Sequence, residues 1–519
     1  MKKNRFLPIL SAVLFVLQLA ATALLLTGIL RLDVLPGKYM TLVVCGLTLP
    51  LILTGLLCFL PAKKPSGGKG RRIIACVLAV VFTAGCVLGF IPVHRVHDTM
   101  QTITNPDNHT QEGPTRLVFV LNDDPAQSLE DAKMYVFGTV SGYDTQNTEN
   151  ALKAITEHLG QTVEIAAYGS VYEMVDALYN GGCQAIILNG GYVSILEDTE
   201  GYDDFSRKTR ILHEVILPEP EPEAPTVQQP TEPSQEPSEP SQPVVQEQPE
   251  MIDPFIMYVS GSDTRSATLK TGNSDVNILV VVNPQTKQVL LVNTPRDYYI
   301  PNPAGYGELD KLTHCGMYGI KYSVRALEDL YGIQVDYYSQ LNFTGFETLV
   351  DAVGGVTVES PVTFTSGDVT IYKGENDLNG KEALAFARER YQMPGGDSGR
   401  GQNQMKVIKA IIAKATNGTT IITNYAQILD SLEGMFVTSM EMSQISALVK
   451  MQLSDMAQWN IQTYGVVGAN GREITYSIPG YYASVMYKDE GRVAYGTELI
   501  NMVLSGEILT EEDVKYPGQ

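Results

Sequence analysis

Three apolar runs open the chain, and they constrain its architecture more than any other feature. The runs cover residues 6–30, 40–60 and 73–93 and are nearly free of charge. A helix of about 20 apolar residues spans ~30 Å of hydrocarbon, which each run is long enough to do. A cleaved signal peptide is the alternative for the first run, but its length and the two runs behind it favour three transmembrane helices in residues 1–94.

The basic residues around these runs predict their orientation. They precede the first run or lie between the second and third, at Lys2, Lys3, Arg5, Lys63, Lys64, Lys69, Arg71 and Arg72. The loop between the first and second runs has only Arg31 and Lys38 as basic residues. Because positively charged loops stay inside, we expect a multi-pass protein of the cell membrane with a cytoplasmic N-terminus. Everything after about Pro92 is then extracytoplasmic.

The net charge and the cysteines argue against a nucleic-acid-binding protein and against a disulfide-stabilised fold. A formal charge of -21 argues against sequence-independent nucleic-acid binding, which needs clustered Lys and Arg. Of the six cysteines, four lie in the apolar runs, where cysteine behaves as a small hydrophobic residue. Cys183 and Cys315 fall in different predicted domains, so no disulfide is expected.

Beyond the membrane, the sequence predicts a polar stalk at 95–115 and a small α/β accessory domain at 116–217. Strands are expected at 117–121, 133–138, 163–167 and 185–188, and helices at 148–159 and 171–179. This alternation favours parallel βαβ units. The stretch from Tyr168 to Asn189 loosely resembles part of a periplasmic-binding-protein lobe. Ligand binding, a spacer and a partner-docking domain all stay open.

Residues 218–250 consist mainly of Pro, Glu, Gln and Ser, without apolar periodicity. Such a segment cannot bury enough apolar surface to fold. We expect an extended linker reaching up to about 100 Å that separates the accessory domain from the last domain, residues 251–519. Docking of an SH3-type partner on its prolines is the less favoured interpretation.

In the last domain, charged residues follow or precede predicted strands. Strands are expected at 254–260, 276–282 and 289–293, which places Asp263, Asp275 and Arg296 at strand ends. Open α/β sheets bind ligands at such edges. Two aspartates suit Mg²⁺, which takes oxygen ligands and shares its shell with phosphate, and arginine forks suit phosphate.

Two further segments add cationic groups. Arg388 and Arg390 share a face only if their segment is extended. Arg400 and Gln404 are four apart, which puts them on one face if a helix at 401–414 begins there, and its N-terminus would attract an anion. Each signal alone has an ordinary structural interpretation as a turn, a cap or a solvated ion pair.

Taken together, the order and spacing of these motifs closely resemble those of the LytR–CpsA–Psr family over essentially all of residues 251–510. The matching pieces are Gly-Ser-Asp-Thr-Arg at 261–265, Ser-Asp at 274–275, Thr-Pro-Arg-Asp at 294–297, Asp-Lys-Leu-Thr-His-Cys-Gly-Met-Tyr-Gly at 310–319, Asn-Phe-Thr-Gly-Phe at 342–346, Leu-Val-Asp-Ala-Val-Gly-Gly-Val at 349–356, Leu-Asn-Gly-Lys-Glu-Ala-Leu-Ala-Phe-Ala-Arg-Glu-Arg at 378–390 and Arg-Gly-Gln-Asn-Gln at 400–404. CpsA-like members place an accessory domain at the corresponding position.

The resemblance implies an α/β/α sandwich with a central mixed sheet and a hydrophobic groove for a polyprenyl chain. The metal, Mg²⁺ or Mn²⁺, would be held by Asp263 and Asp275. The phosphates would be bound by Arg296, Arg388, Arg390, Arg400 and Gln404, with Arg265 and Lys311 as weaker candidates. Asp397 would orient Arg400 or accept a proton, and both roles stay open. His314 is interpreted as structural.

The implied activity is transfer of a glycopolymer, of capsular or teichoic-acid type, from undecaprenyl pyrophosphate to peptidoglycan. The alternatives are a non-catalytic regulator or scaffold that binds polyprenyl phosphate and a polyprenyl pyrophosphatase that uses water as acceptor. The paired aspartates and the arginine set favour the transferase over the regulator. The expected partners are the lipid-linked polymer, peptidoglycan and the membrane.

Overall fold

A computed structural model of the chain describes residues 6–60, 67–104, 115–142, 144–197, 199–217, 252–262, 269, 272–416, 428–429 and 432–517. The predicted linker lies outside the described residues. So do two of the predicted site residues, Asp263 and Arg265.

The three apolar runs form helices α1 (Phe6–Leu32), α2 (Gly37–Phe59) and α3 (Gly67–Ile103). All three are long and apolar enough to cross a membrane. Ala21 and Leu25 of α1 pack with Cys86 of α3 in one buried cluster. The described cysteines are all free, including Cys183 and Cys315.

Helix α3 continues past the predicted third span and takes up residues 95–103, which the sequence had placed in the stalk. Val96, Met100 and Ile103 are buried and follow the i, i+4, i+7 spacing of one helix face. They pack with Leu32 at the end of α1. Burial of this stripe explains why the helix does not end with the apolar run.

The accessory domain contains a five-stranded sheet in the order β3-β2-β4-β1-β5. Its strands are β1 (Thr115–Leu121), β2 (Val136–Val140), β3 (Glu164–Tyr168), β4 (Ala185–Asn189) and β5 (Thr209–Ile216). Its helices are α4 (Thr145–Leu159), α5 (Val171–Tyr179), α6 (Tyr192–Glu197) and α7 (Phe205–Lys208). The expected parallel pairing holds for β2 with β3 and β4. β1 instead pairs antiparallel with β4 and with β5, a strand that the sequence analysis missed.

The C-terminal domain is built on a six-stranded mixed sheet in the order β16-β11-β6-β7-β8-β17. These strands are β6 (Phe255–Ser262), β7 (Ser274–Asn283), β8 (Gln288–Asn293), β11 (Tyr337–Asn342), β16 (Phe436–Thr438) and β17 (Asn460–Gly465). β6 and β8 run antiparallel to β7, whereas β11 is parallel to β6 and β17 to β8.

The domain also contains a second, four-stranded sheet and two two-stranded sheets. The four-stranded sheet has the order β10-β9-β19-β18, with β9 (Tyr298–Pro301), β10 (Leu309–Lys311), β18 (Ala469–Thr475) and β19 (Ile478–Tyr487). The two-stranded sheets pair β12 (Val356–Ser360) with β15 (Gly374–Leu378) and β13 (Phe364–Ser366) with β14 (Val369–Ile371). The helices are α8 (Leu312–Cys315), α9 (Ile320–Tyr331), α10 (Phe343–Ala352), α11 (Gly380–Arg388), α12 (Asp397–Thr416), α13 (Met442–Asp455) and α14 (Glu490–Ser505).

Helices cover both faces of the six-stranded sheet, which makes the domain an α/β/α sandwich. Successive residues of a strand point to opposite faces. Leu279 and Val281 accordingly pack into the cluster that contains residues of α9 and α14. Ile278 and Val280 pack on the other face, with residues of α12. β7 is therefore buried on both sides, as its unbroken apolar run predicted.

The accessory domain packs directly on the C-terminal domain. Met317 and Tyr318, which follow α8, are buried in the same apolar cluster as Phe119 and Leu188 of the accessory sheet. The Asn189 side-chain amide donates to the carbonyl oxygen of Met317 at 3.0 Å. The described parts on either side of the predicted linker are thus in contact, contrary to the separation expected from the linker's composition.

The C-terminal domain also contacts the ends of the membrane helices. The Ser446 hydroxyl donates to the Leu32 carbonyl oxygen at 2.9 Å. Lys450 Nζ lies 2.9 Å from Asp33 Oδ1. Phe436 of β16 packs in the cluster formed by the ends of α1 and α3. This side of the domain therefore faces the membrane anchor.

Candidate functional site

A cavity of about 1470 Å³ lies against the six-stranded sheet and helices α10, α11 and α12. Apolar residues that line it include Met257, Val259, Val276, Val280, Leu341, Phe343, Phe346, Leu349, Leu384, Ile408, Ile411, Ile412 and Phe436. Charged and polar residues that line it include Asp275, Arg296, Asp297, Lys311, Thr313, His314, Arg388, Arg390, Arg400 and Gln404. The structure thus brings seven of the predicted site residues to one cavity.

Strand direction explains why Asp275 and Arg296 meet. β7 and β8 are antiparallel, with Ile278 opposite Asn293, so the start of β7 lies beside the end of β8. Arg296 Nη1 donates to Asp275 Oδ1 at 2.9 Å, and the Thr313 hydroxyl lies 3.5 Å from the same oxygen. Burial alone would raise the pKa of Asp275, but the charges of Arg296 and Arg400 hold it below its ordinary value.

A second ion pair lies beside the first. Lys311 Nζ is 3.1 Å from Asp297 Oδ1, and both side chains are largely buried. Burial opposes ionisation of Asp297, but the charges of Lys311, Arg296 and Arg400 keep its pKa below the ordinary value. Both carboxylates are therefore ionised at neutral pH and are surrounded by cations.

Arg388 and Arg390 reach the cavity because helix α11 ends between them. Arg388 is the last residue of α11, and Glu389 after it is extended, with a ψ of 126°. The Arg388 guanidinium lies 4.5 Å from the centre of the Phe343 ring. Arg390 Nη2 donates to the Tyr391 hydroxyl at 2.6 Å. Within the described part of the chain neither guanidinium forms an ion pair with a carboxylate, so both have capacity to bind an anion.

Arg400 and Gln404 lie on α12, which begins earlier than predicted. The helix starts at Asp397 rather than at residue 401, and the Arg400 amide donates to the Gly396 carbonyl oxygen at 3.0 Å. Arg400 is therefore in the first turn, and Gln404 is one turn later on the same face. Both side chains are buried. Asp397 is the first helical residue, but its side chain is outside what the structure describes.

The carboxylates of the cavity fit a hard divalent cation. Asp275 and Asp297 offer ionised oxygens at one edge of the sheet, and Mg²⁺ binds through one or two carboxylates plus substrate phosphates. Among the described residues no group of three or more His, Cys, Asp or Glu could hold a metal.

His314 lines the cavity but belongs to a buried polar network. Its Nδ1 lies 2.5 Å from Asp310 Oδ1, and His314 is 1% exposed. Asp310 also accepts hydrogen bonds from Asn302 at 3.0 Å and from the Ser477 hydroxyl. Burial opposes ionisation of Asp310, but these partners hold its pKa below the ordinary value. The geometry agrees with a structural role for His314.

Sequence reasoning missed several cavity residues. Asp297 and Thr313 stand inside the quoted motifs, and their positions next to Arg296 and Lys311 were the available signal. The accessory-domain residues Tyr172, Glu197 and Thr199 also line the cavity. No local pattern around those three positions indicates a contact with a later domain.

The LytR_cpsA_psr family profile matches residues 225–488, which is more than half of the chain. The chain belongs to this LytR–CpsA–Psr family. It is 34% identical over 229 residues to a Bacillus licheniformis protein named polyisoprenyl-teichoic acid–peptidoglycan teichoic acid transferase TagU, covering 44% of this chain and 69% of that protein. The Bacillus subtilis protein of the same name is 36% identical over 189 residues, covering 36% and 60%.

Two solved structures are also similar to this LytR–CpsA–Psr chain. Bacillus subtilis TagU is 29% identical, with a TM-score of 0.38, and the alignment covers 50% of this chain and 100% of that one. TagT bound to LI-WTA is 26% identical, with a TM-score of 0.39 and coverage of 49% and 91%.

Proposed function

We propose that this LytR–CpsA–Psr protein transfers a glycopolymer of capsular or teichoic-acid type from undecaprenyl pyrophosphate to peptidoglycan. The observation that carries the proposal is a single cavity lined both by a cationic cluster and by a long apolar surface. A polyprenyl pyrophosphate needs both surfaces, one for its phosphates and one for its hydrocarbon. The TagU relatives, which are named as teichoic acid–peptidoglycan transferases, support the transfer to peptidoglycan.

The position of the apolar surface also supports a membrane-borne substrate. Phe436 lines the cavity and packs against the ends of α1 and α3. A lipid that enters beside the membrane helices therefore meets the apolar part of the cavity first. The distribution of basic residues supports an extracytoplasmic location for this region, with the N-terminus in the cytoplasm.

The reaction joins an acceptor hydroxyl of peptidoglycan, preferably the C6 hydroxyl of N-acetylmuramic acid, to the polymer. Attack at the sugar-linked phosphorus forms a phosphodiester and leaves polyprenyl monophosphate. Attack at the anomeric carbon forms a glycosidic bond and leaves polyprenyl pyrophosphate. In both cases the hydroxyl proton is released and negative charge accumulates on the departing phosphate.

The cationic side chains of the cavity stabilise that charge. Arg296, Arg388, Arg390 and Arg400 bind the phosphate oxygens, and Gln404 donates a further hydrogen bond. Asp275 would hold Mg²⁺ or Mn²⁺ together with Asp263 from the predicted set. When bound, the metal supplies a positive charge that neutralises the phosphates. Lys311 and Arg265 complete the predicted anion-binding set, and Asp397 orients Arg400 or accepts the proton.

The test uses the full-length chain in lipid nanodiscs with a lipid-linked oligosaccharide, Mg²⁺ and peptidoglycan. Covalent attachment of the oligosaccharide to peptidoglycan is expected in the wild type and is expected to be lost in Asp275→Ala and Arg390→Ala. Arg325→Ala is the control, because Arg325 is exposed on α9 and pairs with Asp329. Full transfer in both cavity variants contradicts the site assignment.

The same assay separates the two alternatives. Release of phosphate or lipid without attachment to peptidoglycan supports a pyrophosphatase. Lipid binding without any turnover supports a regulator or scaffold. Omission of divalent cations, with a chelator present, tests the proposed dependence on Mg²⁺.

A further inference from the structure

Part of the cavity wall belongs to the accessory domain. The accessory residues that line the cavity are Tyr172 of α5, Ser194, Ile195 and Glu197 of α6, and Thr199, two residues beyond α6. The cavity is the same one that contains Asp275 and the arginines. The accessory domain is therefore positioned to touch whatever occupies the polar part of the site.

An adjoining part of the cavity wall comes from the β18–β19 hairpin of the C-terminal domain. Arg472 of β18 and Tyr481 and Ser484 of β19 line the cavity there. The rings of Tyr172 and Tyr481 meet across the domain boundary with centroids 5.0 Å apart. The Tyr172 hydroxyl lies 3.3 Å from the Thr199 hydroxyl. Aromatic rings, hydroxyls, a carboxylate and a guanidinium thus line the same cavity.

Asn273 fixes this wall to the strand that carries Asp275. Its side-chain amide donates to the Gly191 carbonyl oxygen at 3.0 Å and to the Ser194 hydroxyl at 2.6 Å. The Tyr192 hydroxyl donates to the Ser477 carbonyl oxygen. These groups are mostly buried, so the wall is held in place by directional contacts.

We infer that the accessory domain and the β18–β19 hairpin together form a saccharide subsite beside the phosphate-binding arginines. Sugar hydroxyls can pair with Glu197 and Arg472, and the apolar face of a sugar ring can rest on tyrosine. A lipid chain does not suit these polar groups, and Glu197 would repel a further phosphate. The inference rests on the proposed function, which supplies two saccharides, the first sugars of the donor and the acceptor glycan.

Binding measurements on the full-length chain in nanodiscs test the subsite. The probes are polyprenyl pyrophosphate carrying a disaccharide, the same lipid without sugar, and a soluble peptidoglycan glycan fragment. Tyr481→Ala and Glu197→Gln should each weaken binding of a sugar-bearing probe by about 10-fold, the scale of a lost ring or charge contact. Binding of the sugar-free lipid should not change.

Neighbouring residues outside the cavity provide matched controls. Tyr482→Ala changes an exposed ring next to Tyr481, and Glu200→Gln changes an exposed carboxylate near Glu197. Both should bind every probe as the wild type does. Tryptophan emission from Trp459 verifies that the C-terminal domain of each variant is folded, and circular dichroism of the whole chain verifies the accessory domain as well.

The probe whose binding is weakened in the variants identifies the saccharide that occupies the subsite. Loss on the disaccharide lipid assigns the subsite to the donor, and loss on the glycan fragment assigns it to the acceptor. Unchanged binding of both sugar-bearing probes in folded Tyr481→Ala and Glu197→Gln overturns the inference. If the wild type binds the sugar-bearing probes in a sugar-dependent way but transfers nothing to peptidoglycan, the subsite is supported and the proposed transferase activity is rejected.

Discussion

The ion pair between Asp275 and Arg296 can be broken with little change in side-chain volume by Arg296→Met. The two charges are 2.9 Å apart, and their side chains are 14% and 18% exposed. At an effective dielectric constant of about 20, the gross attraction at that distance is about 6 kcal/mol. Desolvation offsets much of it, and Arg400 still faces Asp275. We expect a net loss of about 2–3 kcal/mol.

Thermal unfolding followed by tryptophan emission measures this loss. The chain has one tryptophan, Trp459, whose Nε1 donates to Gln452 at 2.7 Å, so the signal reports the C-terminal domain. For a domain of this size, a loss of about 2–3 kcal/mol lowers Tm by about 5–10 °C. Arg325→Met is the matched control, because that arginine and its partner Asp329 are 60% and 57% exposed. Its effect should stay below about 1 kcal/mol.

The pH dependence of the Tm difference tests more sharply whether the loss comes from the Asp275–Arg296 ion pair. The folded-state pKa of Asp275 is below its ordinary value, so its ion pair stabilises the fold above the unfolded pKa, about 3.9. That stabilisation disappears as the pH falls through the folded-state pKa. The Tm difference between wild type and Arg296→Met should therefore be at its full size at about pH 5 and shrink as the pH is lowered below about 3.9. A constant difference over that range, or equal losses in Arg296→Met and Arg325→Met, would refute the reasoning.

Three further predictions address the metal, the packing and the topology. Asp275→Asn should bind inorganic pyrophosphate more tightly than wild type when a chelator is present, because a repelling charge is gone, but more weakly when Mg²⁺ is present. Calorimetry measures both affinities. If the same variant binds more tightly in both buffers, a metal role for Asp275 is contradicted. In Gly401→Ala the added carbon would lie 2.3 Å from Asn293 Nδ2, so Tm should fall by the equivalent of about 1–3 kcal/mol; an unchanged Tm would mean that Asn293 moves freely. An impermeant maleimide should label Tyr372→Cys, but not Lys64→Cys, in intact cells; labelling of both, or of Lys64→Cys alone, rejects the proposed orientation.

Apolar runs that are buried on both faces were predicted within a few residues. β7 and β4 are examples, because a strand covered on both sides needs unbroken apolar sequence. β5 was missed because only part of it is buried and polar residues interrupt its pattern. The antiparallel direction of β1 was not predicted either, since it depends on pairing with β4 and β5 rather than on local sequence.

In the candidate site, too, contacts between distant parts of the chain could not be predicted from local sequence. The sequence predicted only that Asp275 and Arg296 lie at strand ends, whereas their direct hydrogen bond depends on the register of β7 against β8. The start of α12 was predicted too late, because Asp397 and Ser398 precede the first apolar residue of the helix. The accessory wall could not be predicted, since the ring contact between Tyr172 and Tyr481 joins distant parts of the chain.

The burial of Met317 and Tyr318 in the accessory cluster bears on the order in which the protein is made. The chain is synthesised from its N-terminus, so the accessory sheet emerges well before these two side chains. Until they arrive, apolar surface around Tyr192 and Leu188 stays open to solvent. The accessory domain is then a nascent intermediate that completes its core only when the C-terminal domain docks. Ribosome-bound or truncated chains that end before Met317 should be more sensitive to protease than the finished protein.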